Sequence, residues 1–393
     1  MFVLDDALRR MVEMGGSDLH LKVPARPQIR LHGTLQPLEG SEPLTPEVTE
    51  QVLREMLGSD SHRHQEFLEE GEVDFAYSVP GVCRFRVNAF RQRGSVSIVC
   101  RAIPHQIKTV EELLLPPVVS ELAAEERGII LVTGTTGSGK STTLAAMIDQ
   151  INEREAKHIV TIEDPIEFLH RDKRSVINQR EVGDDTTSFK RALRRVLRQD
   201  PDVILIGEMR DEETVHTALS AAETGHLVLS TLHTVDATET VNRIIDFFPP
   251  HMHQQVRAML AGTLKGVISQ RLVRTADGKG RVPVCEILRM TGRVRDMIMN
   301  PEETSKLTDV IAEGAYYGMQ TFDQALLAHV QAGRVSMETA LKAATHPHDF
   351  KLLVSSDGRR STSVDQILGD EEQPAGAEPE EGVPRRDPSI YGL

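Results

Sequence analysis

The amino-acid sequence predicts an α/β fold for the central part of the chain, preceded by a smaller α+β domain. Between residues 128 and 232, four short apolar runs of about strand length alternate with segments of helical periodicity. This alternation favours a mostly parallel sheet with helices packed on both faces. Ahead of residue 103, strand segments instead alternate polar and apolar residues, which is typical of a sheet with one buried face.

Length and composition limit the class of protein. At 393 residues, the chain is long enough for two domains and terminal tails. The formal net charge of −14 disfavours a general polyanion binder, so we expect no nucleic-acid partner. Three widely separated cysteines predict core thiols and argue against a disulfide framework or a tetracysteine zinc site. Because the sequence has no secretory signal pattern and no apolar run of about 18 residues, we expect a cytoplasmic location.

The first hundred residues predict the α+β domain. Helices are expected at 3–14 and 45–57, and strands at 18–23, 29–32, 73–79, 82–90 and 96–102. Arg84, Arg86 and Asn88 share one face of the strand at 82–90, and Arg101 closes the next strand. These arginines are either solvated surface residues or contacts to the phosphates of a nucleotide held by another domain or subunit. The sequence leaves both interpretations open.

The central motif is a glycine-rich turn between a buried strand and a helix. It matches G-x-x-x-x-G-K-[ST], the phosphate-binding loop, whose glycines let backbone amides point inward at a helix N-terminus. Lys140 would reach the β- and γ-phosphates, and the Ser141 hydroxyl would bind Mg²⁺. The predicted nucleotide-binding residues of this loop are Gly134, Thr135, Thr136, Gly137, Ser138, Gly139, Lys140, Ser141 and Thr142. The guanine-specific motif Asn-Lys-x-Asp is not in the sequence, which disfavours GTP.

Acidic residues follow the next core strand. Glu163, Asp164 and Glu167 come directly after the apolar run at 158–162. Ligands of an open α/β sheet bind beyond the carboxyl ends of its strands, so these carboxylates should lie beside the phosphate-binding loop. Glu163 and Glu167 are therefore the candidate general bases that orient and deprotonate the attacking water. A solvated acidic turn is the alternative.

Two further core strands end near polar residues that fit the same site. Glu208 follows the strand at 203–206 and is predicted to hold Mg²⁺ through water, while Arg210 pairs with it or with a neighbouring subunit. His233 ends the strand at 227–232 and is predicted to sense the γ-phosphate. His226, at the opposite end of that strand, is a weaker candidate.

The segment from 186 to 199 predicts an amphipathic helix. Its polar face consists of Lys190, Arg191, Arg194, Arg195 and Arg198. In so acidic a chain, this face favours a salt-bridged subunit interface, with a nucleic-acid contact as the alternative. Further along, residues 256–272, 294–299 and 307–329 are predicted to be mostly helical, and residues beyond about 369 to be disordered.

Four of these segments together resemble the bacterial type II/IV secretion ATPase superfamily. GTTGSGKSTTL at 134–144, IEDPIE at 162–167, GEMRD at 207–211 and the histidine-flanked strand at 224–234 are similar to its Walker A, Asp box, Walker B and His box. Within the superfamily, GGSDLH at 15–20, RFRVNAF at 84–90 and GMQTFDQAL at 318–326 resemble the type IV pilus retraction ATPases, the PilT family. The resemblance covers about residues 3–345.

The resemblance implies a hexameric ATPase motor that drives pilus retraction and twitching motility. Each subunit would have a PAS-like N-terminal domain at 1–103, a linker at 104–117, a RecA-like ATPase domain with C-terminal helices at 118–350, and a tail at 351–393. ATP and Mg²⁺ would bind in the interdomain cleft. Arg86 and Arg101 match the family's phosphate-contacting arginines, Glu167 its Asp-box glutamate and Glu208 its Mg²⁺-associated glutamate.

The implied partners are further copies of the chain and the pilus platform protein of the inner membrane. The ring would lie at the inner face of that membrane, peripheral to it. One segment departs from the family pattern: members usually carry Ala-Ile-Arg-Asn-Leu-Ile-Arg-Glu, whereas residues 293–300 read RVRDMIMN. Another pilus-assembly or secretion ATPase is therefore an alternative function, and a RecA-like nucleic-acid motor is a third.

Overall fold

The computed structural model describes residues 2–31, 33–103 and 106–355. Within these ranges the chain forms two sheets, each with its own buried cluster of apolar side chains. The first sheet is entirely antiparallel and the second is mostly parallel. The predicted α/β class is confirmed.

The N-terminal sheet has six strands in the order β3-β2-β1-β6-β5-β4. Its elements are α1 (Leu4–Glu13), β1 (Asp18–Leu21), β2 (Gln28–Leu31), β3 (Thr34–Pro37), α2 (Pro46–Leu57), α3 (Ser61–Glu70), β4 (Glu72–Val79), β5 (Cys83–Gln92) and β6 (Ser95–Ala102). Apolar residues of the three helices pack with the buried residues of the strands. Along β5, Phe85 and Val87 are fully buried while Arg84, Arg86 and Asn88 are half-buried on the other face, as the alternation predicts.

The second sheet has seven strands in the order β13-β12-β7-β11-β10-β8-β9. Its elements begin with α4 (Val118–Ala123), β7 (Gly128–Thr133), α5 (Lys140–Arg154), β8 (His158–Glu163), β9 (Val176–Glu181), α6 (Phe189–Val196), β10 (Val203–Ile206), α7 (Glu212–Glu223) and β11 (Leu227–Leu232). They continue with α8 (Ala237–Asp246), α9 (His253–Thr263), β12 (Leu264–Arg274), β13 (Arg281–Arg289), α10 (Gly292–Met299), α11 (Leu307–Glu313), α12 (Phe322–Gln331), α13 (Met337–Ala343) and α14 (Pro347–Ser355). Only β13 is antiparallel to its neighbour within this sheet.

Helices cover both faces of the second sheet. Ile129 and Leu131 of β7 belong to one buried cluster, and Ile130 and Val132 belong to the cluster on the opposite face. A strand buried on both sides reads as a continuous apolar run, which explains why β7, β10 and β11 are evident in the sequence. The carboxyl ends of β7, β8, β10 and β11 lie at the same edge, because these strands are parallel.

The prediction of helix over residues 256–272 is confirmed for 256–263 and wrong from residue 264 onwards. Helix α9 ends at Thr263, and β12 then runs from Leu264 to Arg274 between β7 and β13. Pairing with β7 on one side and β13 on the other satisfies the backbone of a segment whose composition also fits a buried helix. The strands β3 and β9 and the helix α3 were not predicted either.

Smaller differences concern the ends of elements. Helix α6 is shorter than the predicted 186–199, because the Ser188 side chain caps the Arg191 amide and the helix begins at Phe189. In the expected linker, Val110 and Leu115 pack into the core beside β7, while residues 104 and 105 lie outside the described ranges. The expected domain end at residue 350 falls within α14, and the disorder predicted beyond 369 lies outside the described residues. Cys83, Cys100 and Cys285 are buried free thiols, as predicted.

Candidate nucleotide-binding and catalytic site

The phosphate-binding loop joins β7 to α5, which begins at Lys140. Gly134 and Gly139 have φ angles of 138° and 94°, in the region that favours glycine. A Cβ at Gly134 would lie 2.4 Å from the Gln270 carbonyl oxygen, and one at Gly139 would lie 2.7 Å from the Gln270 Nε2. Both positions therefore require glycine, because their φ angles are positive and because Gln270 of β12 leaves no room for a side chain.

Lys140 is buried and folds back over the loop. Its Nζ donates to the carbonyl oxygens of Gly134 at 2.8 Å and Thr135 at 3.1 Å. Burial lowers the pKa of Lys140, although the charge of Glu208 opposes this change. The ammonium group is thus held beside the loop, where the motif requires a cation for the phosphates.

Gln270 anchors the loop to the sheet, and sequence reasoning missed it. Its Nε2 donates to the Ser138 carbonyl at 2.9 Å, and its Oε1 accepts from the Thr143 hydroxyl at 2.7 Å. The side chain therefore ties the loop and α5 to β12. A polar residue within the apolar run of β12 was the available signal, but the wrong assignment of this segment as a helix hid it.

A cleft of about 710 Å³ lies between the two sheets, above the carboxyl ends of the core strands. It brings together the predicted residues Arg86, Arg101, Thr136, Gly137, Gly139, Lys140, Ser141, Thr142, Glu163, Glu167, Glu208 and His233. Gly134, Thr135 and Ser138 do not line it. Gly134 and Ser138 are buried against Gln270, and the Thr135 carbonyl accepts from Lys140, so these residues shape the loop instead.

Glu163 ends β8 and is buried in the floor of the cleft. One carboxylate oxygen accepts from the Thr161 hydroxyl at 2.6 Å and from Gln179 Nε2 at 3.2 Å. Burial raises the pKa of Glu163 above its ordinary range, although these hydrogen bonds oppose the increase. Glu163 is therefore a carboxyl group whose proton affinity is enhanced by its surroundings.

Glu167 and Arg86 approach each other across the cleft. The Arg86 Nη1 lies 3.9 Å from a Glu167 carboxylate oxygen, and both side chains are partly exposed. Arg101 also lines the cleft, and its Nε donates to Asp18 at 2.8 Å within the N-terminal sheet. Arg86 and Arg101, two of the three arginines considered from the sequence, therefore line the same cleft as Lys140.

Glu208 lies between a histidine and an arginine. Its two carboxylate oxygens are 3.2 Å from His233 Nε2 and 2.8 Å from Arg210 Nη2. Burial alone would raise the pKa of Glu208, but these two neighbours hold it below its usual range, so it is a carboxylate at neutral pH. Arg210 thus pairs within the chain. His226 lies at the other end of β11, where its Nδ1 is 2.9 Å from the Ala221 carbonyl oxygen.

Arg84 lies outside the cleft, although it shares a face of β5 with Arg86. Its Nη2 lies 3.4 Å from Glu181 and 3.5 Å from Asp184, and Arg63 of α3 also pairs with Asp184. Arg84 therefore joins the N-terminal sheet to the end of β9. The contact to phosphates considered for it from the sequence does not fit this geometry.

The basic face of α6 is partly neutralised within the chain. Lys190 and Arg194 both form ion pairs with Glu213 of α7. These two residues therefore have an ion-pair partner within the chain, and the subunit interface suggested by the sequence stays a prediction. This pairing also weakens the case for a nucleic-acid surface, which requires free positive charge.

Comparison with known proteins agrees with this geometry. Residues 78–342 match the family described as "Type II/IV secretion system protein". The "Twitching motility protein" of Neisseria gonorrhoeae is 48% identical over 318 residues, which cover 81% of this chain and 84% of that protein. The "Type IV pilus ATPase PilU" of Pseudomonas aeruginosa is 43% identical over 376 residues, covering 94% of this chain and 97% of that protein.

A solved structure has the same architecture. The crystal structure of the pilus retraction motor PilT with bound ADP superposes with a TM-score of 0.82 at 44% identity, covering 90% of this chain and all of that one. In the described part of this chain, every helix is too short or too polar to cross a bilayer. The chain therefore belongs to the type II/IV secretion system protein family, in which it is a PilT-like ATPase with a RecA-like core and a preceding α+β domain.

Proposed function

We propose that this protein hydrolyses ATP to drive retraction of type IV pili, and so twitching motility. The observation that carries the proposal is the shared cleft. It brings Lys140 and the carboxylates of the second domain together with two arginines of the N-terminal sheet, namely Glu163, Glu167 and Glu208 with Arg86 and Arg101. The similarity to proteins named for twitching motility and pilus retraction supports pilus retraction as the process that the ATPase drives. The domains we propose are 1–103 and 118–350, joined by a linker at 104–117.

ATP would bind with its phosphates against the loop 134–142. No heavy atom lies within 4 Å of a Cβ position at Gly137, so this part of the cradle is open to a ligand. The Lys140 ammonium, held on two loop carbonyls, would move only a short distance to the β- and γ-phosphates. His233 would sense the γ-phosphate from the end of β11.

The donor set also fits Mg²⁺. Ser141 is exposed at the first turn of α5, and Glu208 is held as a carboxylate on the same cleft. Oxygen donors of this kind are the ones that Mg²⁺ prefers, with water completing the shell. Ser141 would bind the ion directly and Glu208 through water. The ion would neutralise charge on the phosphates.

Among the acidic residues, we assign the role of general base to Glu167. Its half-exposed side chain projects towards the cleft and Arg86, whereas the Glu163 carboxylate is buried and already engaged by Thr161 and Gln179. Glu167 would orient and deprotonate the attacking water, with Glu163 supporting it as a second carboxylate. Arg86 and Arg101 would stabilise the charge on the transferred phosphoryl group when the N-terminal domain closes.

The working form we propose is a homohexamer in the cytoplasm, peripheral to the inner membrane and docked on the pilus platform protein. Opening and closing of the cleft around the ring would then exert force on that partner. We expect no nucleic-acid partner. The experiment that tests the whole proposal is Lys140→Ala in the native strain, with ATPase activity and twitching measured in parallel. Wild-type twitching with an inactive ATPase would contradict the proposal.

A specific observation favours one alternative function. In this alternative the protein is another pilus-assembly or secretion ATPase, and it does not drive pilus retraction. Residues 293–300, which depart from the sequence usual in the family, form most of α10 and the residue after it. Arg293 of α10 forms an ion pair with Glu313 at 2.8 Å, so this helix is tied to the end of α11. Pilus imaging in a deletion strain separates the two: long, unretracted pili indicate a retraction motor, whereas loss of pili indicates an assembly motor.

A further inference from the structure

Gln179 lies on β9, the strand at the edge of the second sheet. Both polar atoms of its side-chain amide are hydrogen-bonded. Nε2 donates to the Glu163 carboxylate at 3.2 Å and to the Phe168 carbonyl at 2.8 Å. Oε1 accepts from the His170 backbone amide at 2.8 Å. One side chain therefore holds three positions at and beyond the end of β8.

The chain between β8 and β9, at 164–175, contains no helix or strand, so its backbone groups depend on other partners. Glu167 lies in this segment, between two residues that β9 side chains hold. The Ile166 amide donates to Glu181 at 3.2 Å, and the Phe168 carbonyl accepts from Gln179 at 2.8 Å. The backbone on each side of Glu167 is thus fixed by the same face of β9.

We propose that Gln179 is a positioning residue for ATP hydrolysis, whose amide fixes the Glu163 carboxylate and the backbone carrying Glu167 relative to the phosphate-binding loop. The inference rests on the proposed function and deepens it. Gln179 does not line the cleft, so it acts through these two glutamates. Displacement of a reacting group by about 1 Å can lower the rate about 100-fold, which is the scale of effect expected here.

The same amide also influences the charge of Glu163. Burial raises the pKa of Glu163, and the hydrogen bonds from Thr161 and Gln179 lower it. Loss of the Gln179 donor removes one interaction that favours the carboxylate, so the pKa rises further. A glutamine that only stabilised the fold would leave the pH dependence of turnover unchanged.

The test compares full-length Gln179→Leu and Gln179→Asn with the matched control Asn178→Leu. Asn178 precedes Gln179 on β9 and points to the opposite face, where its Nδ2 lies 2.8 Å from His158 Nε2. Turnover at saturating ATP is measured across the pH range, with the dissociation constant of a fluorescent ATP analogue and the thermal unfolding curve of each variant.

Gln179→Leu is expected to lower kcat about 10- to 100-fold, with nucleotide affinity within about twofold of wild type. The acidic limb of its pH–rate profile should move to higher pH. Gln179→Asn, whose amide is one methylene too short, should show the same changes to a smaller extent. Asn178→Leu should leave kcat and the profile close to wild type.

An unchanged kcat and pH profile in Gln179→Leu, or an equal loss in Asn178→Leu, overturns the inference. If Gln179→Leu does not fold, Gln179→Asn is judged by the same criteria, and failure of both to fold assigns Gln179 a purely structural role. Failure of the proposed function looks different. In that case wild-type protein lacks ATP turnover, or Glu167→Gln retains it, whatever the Gln179 variants do.

Discussion

Arg86 Nη1 lies 3.9 Å from a carboxylate oxygen of Glu167, so the N-terminal sheet and the segment after β8 meet in an ion pair within the cleft. Both side chains are partly exposed, and such pairs contribute little to stability. What the pair shows is that Arg86 and Glu167 lie next to each other inside the cleft. Under the proposed function, a guanidinium group this close to the general base would also contact the phosphates that the base faces.

Replacing Arg86 by Ala is expected to lower kcat by about 100-fold or more, because an arginine that stabilises phosphoryl transfer contributes on the order of 10³ to 10⁵ in rate. The measurement is phosphate release at saturating ATP. Asn88→Ala is the matched control, since Asn88 lies on the same face of β5 and its Nδ2 donates to Asp74 of β4 at 3.2 Å, away from the residues that line the cleft. Equal losses in the two variants would show that the strand, and not the guanidinium group, is responsible.

Glu167→Gln is expected to bind ATP without hydrolysing it, because the amide cannot accept the proton of the attacking water. The loss of kcat should be on the order of 10²- to 10⁴-fold, and bound ATP should remain intact after rapid desalting. Glu163→Gln should have a smaller effect, since the amide can retain the contacts with Thr161 and Gln179. A larger loss in Glu163→Gln than in Glu167→Gln would reverse the two roles.

Gln270→Leu is expected to weaken ATP binding about tenfold. The substitution leaves the Ser138 carbonyl and the Thr143 hydroxyl without their partner and so loosens the phosphate-binding loop, at about 1–3 kcal/mol for each buried group left unsatisfied. Titration calorimetry gives the affinity. Ser269→Ala is the control. Ser269 precedes Gln270 on β12, and its hydroxyl accepts a buried hydrogen bond from Thr133 of β7, which lies outside the loop 134–142. The prediction fails if both variants bind ATP equally well.

Glu286 makes the folding stability depend on pH. Burial on β13 raises the pKa of Glu286 from an ordinary 4.5 to about 7; the Ala237 amide and Arg271 oppose the increase, and Asp236 and Asp323 add to it. The folded state therefore holds the proton more tightly than the unfolded chain, so the free energy of unfolding falls as pH rises from about 4.5 to 7.

Glu286→Gln removes this dependence and is expected to be more stable than wild type above pH 7, by roughly 1–3 kcal/mol. Below about pH 4.5 the two proteins should unfold at similar denaturant concentrations, because Glu286 is then neutral in both states. Urea titrations at the two pH values measure the difference. If the variant and the wild type differ in unfolding free energy by the same amount at both pH values, Glu286 does not titrate in this range.

The side chains whose position at the cleft could be predicted from the sequence are those encoded locally. Lys140 and Ser141 belong to a motif of fixed spacing, and Glu163 and Glu208 lie at the ends of short apolar runs whose alternation with helical segments indicates core strands. Gln179 and Gln270 were missed because their roles depend on strand pairing between distant segments. β9 has little apolar periodicity because it lies at the sheet edge, and β12 resembles a helix in composition. The contact between Arg84 and Glu181 could not be predicted from the sequence either, because 97 positions separate the two residues.

The contact between Arg84 and Glu181 has a consequence for how a subunit opens. Glu181 is almost fully buried. Its carboxylate also accepts a hydrogen bond from the backbone amide of Ile166, the residue before Glu167. Separation of the two sheets would break the ion pair between Arg84 and Glu181, whose side chains are largely shielded from solvent, and therefore has an electrostatic cost. Movement of the N-terminal domain away from the core is therefore opposed electrostatically even in a single protomer. Because Glu181 also accepts from the Ile166 amide, such a movement would be transmitted to the backbone next to Glu167.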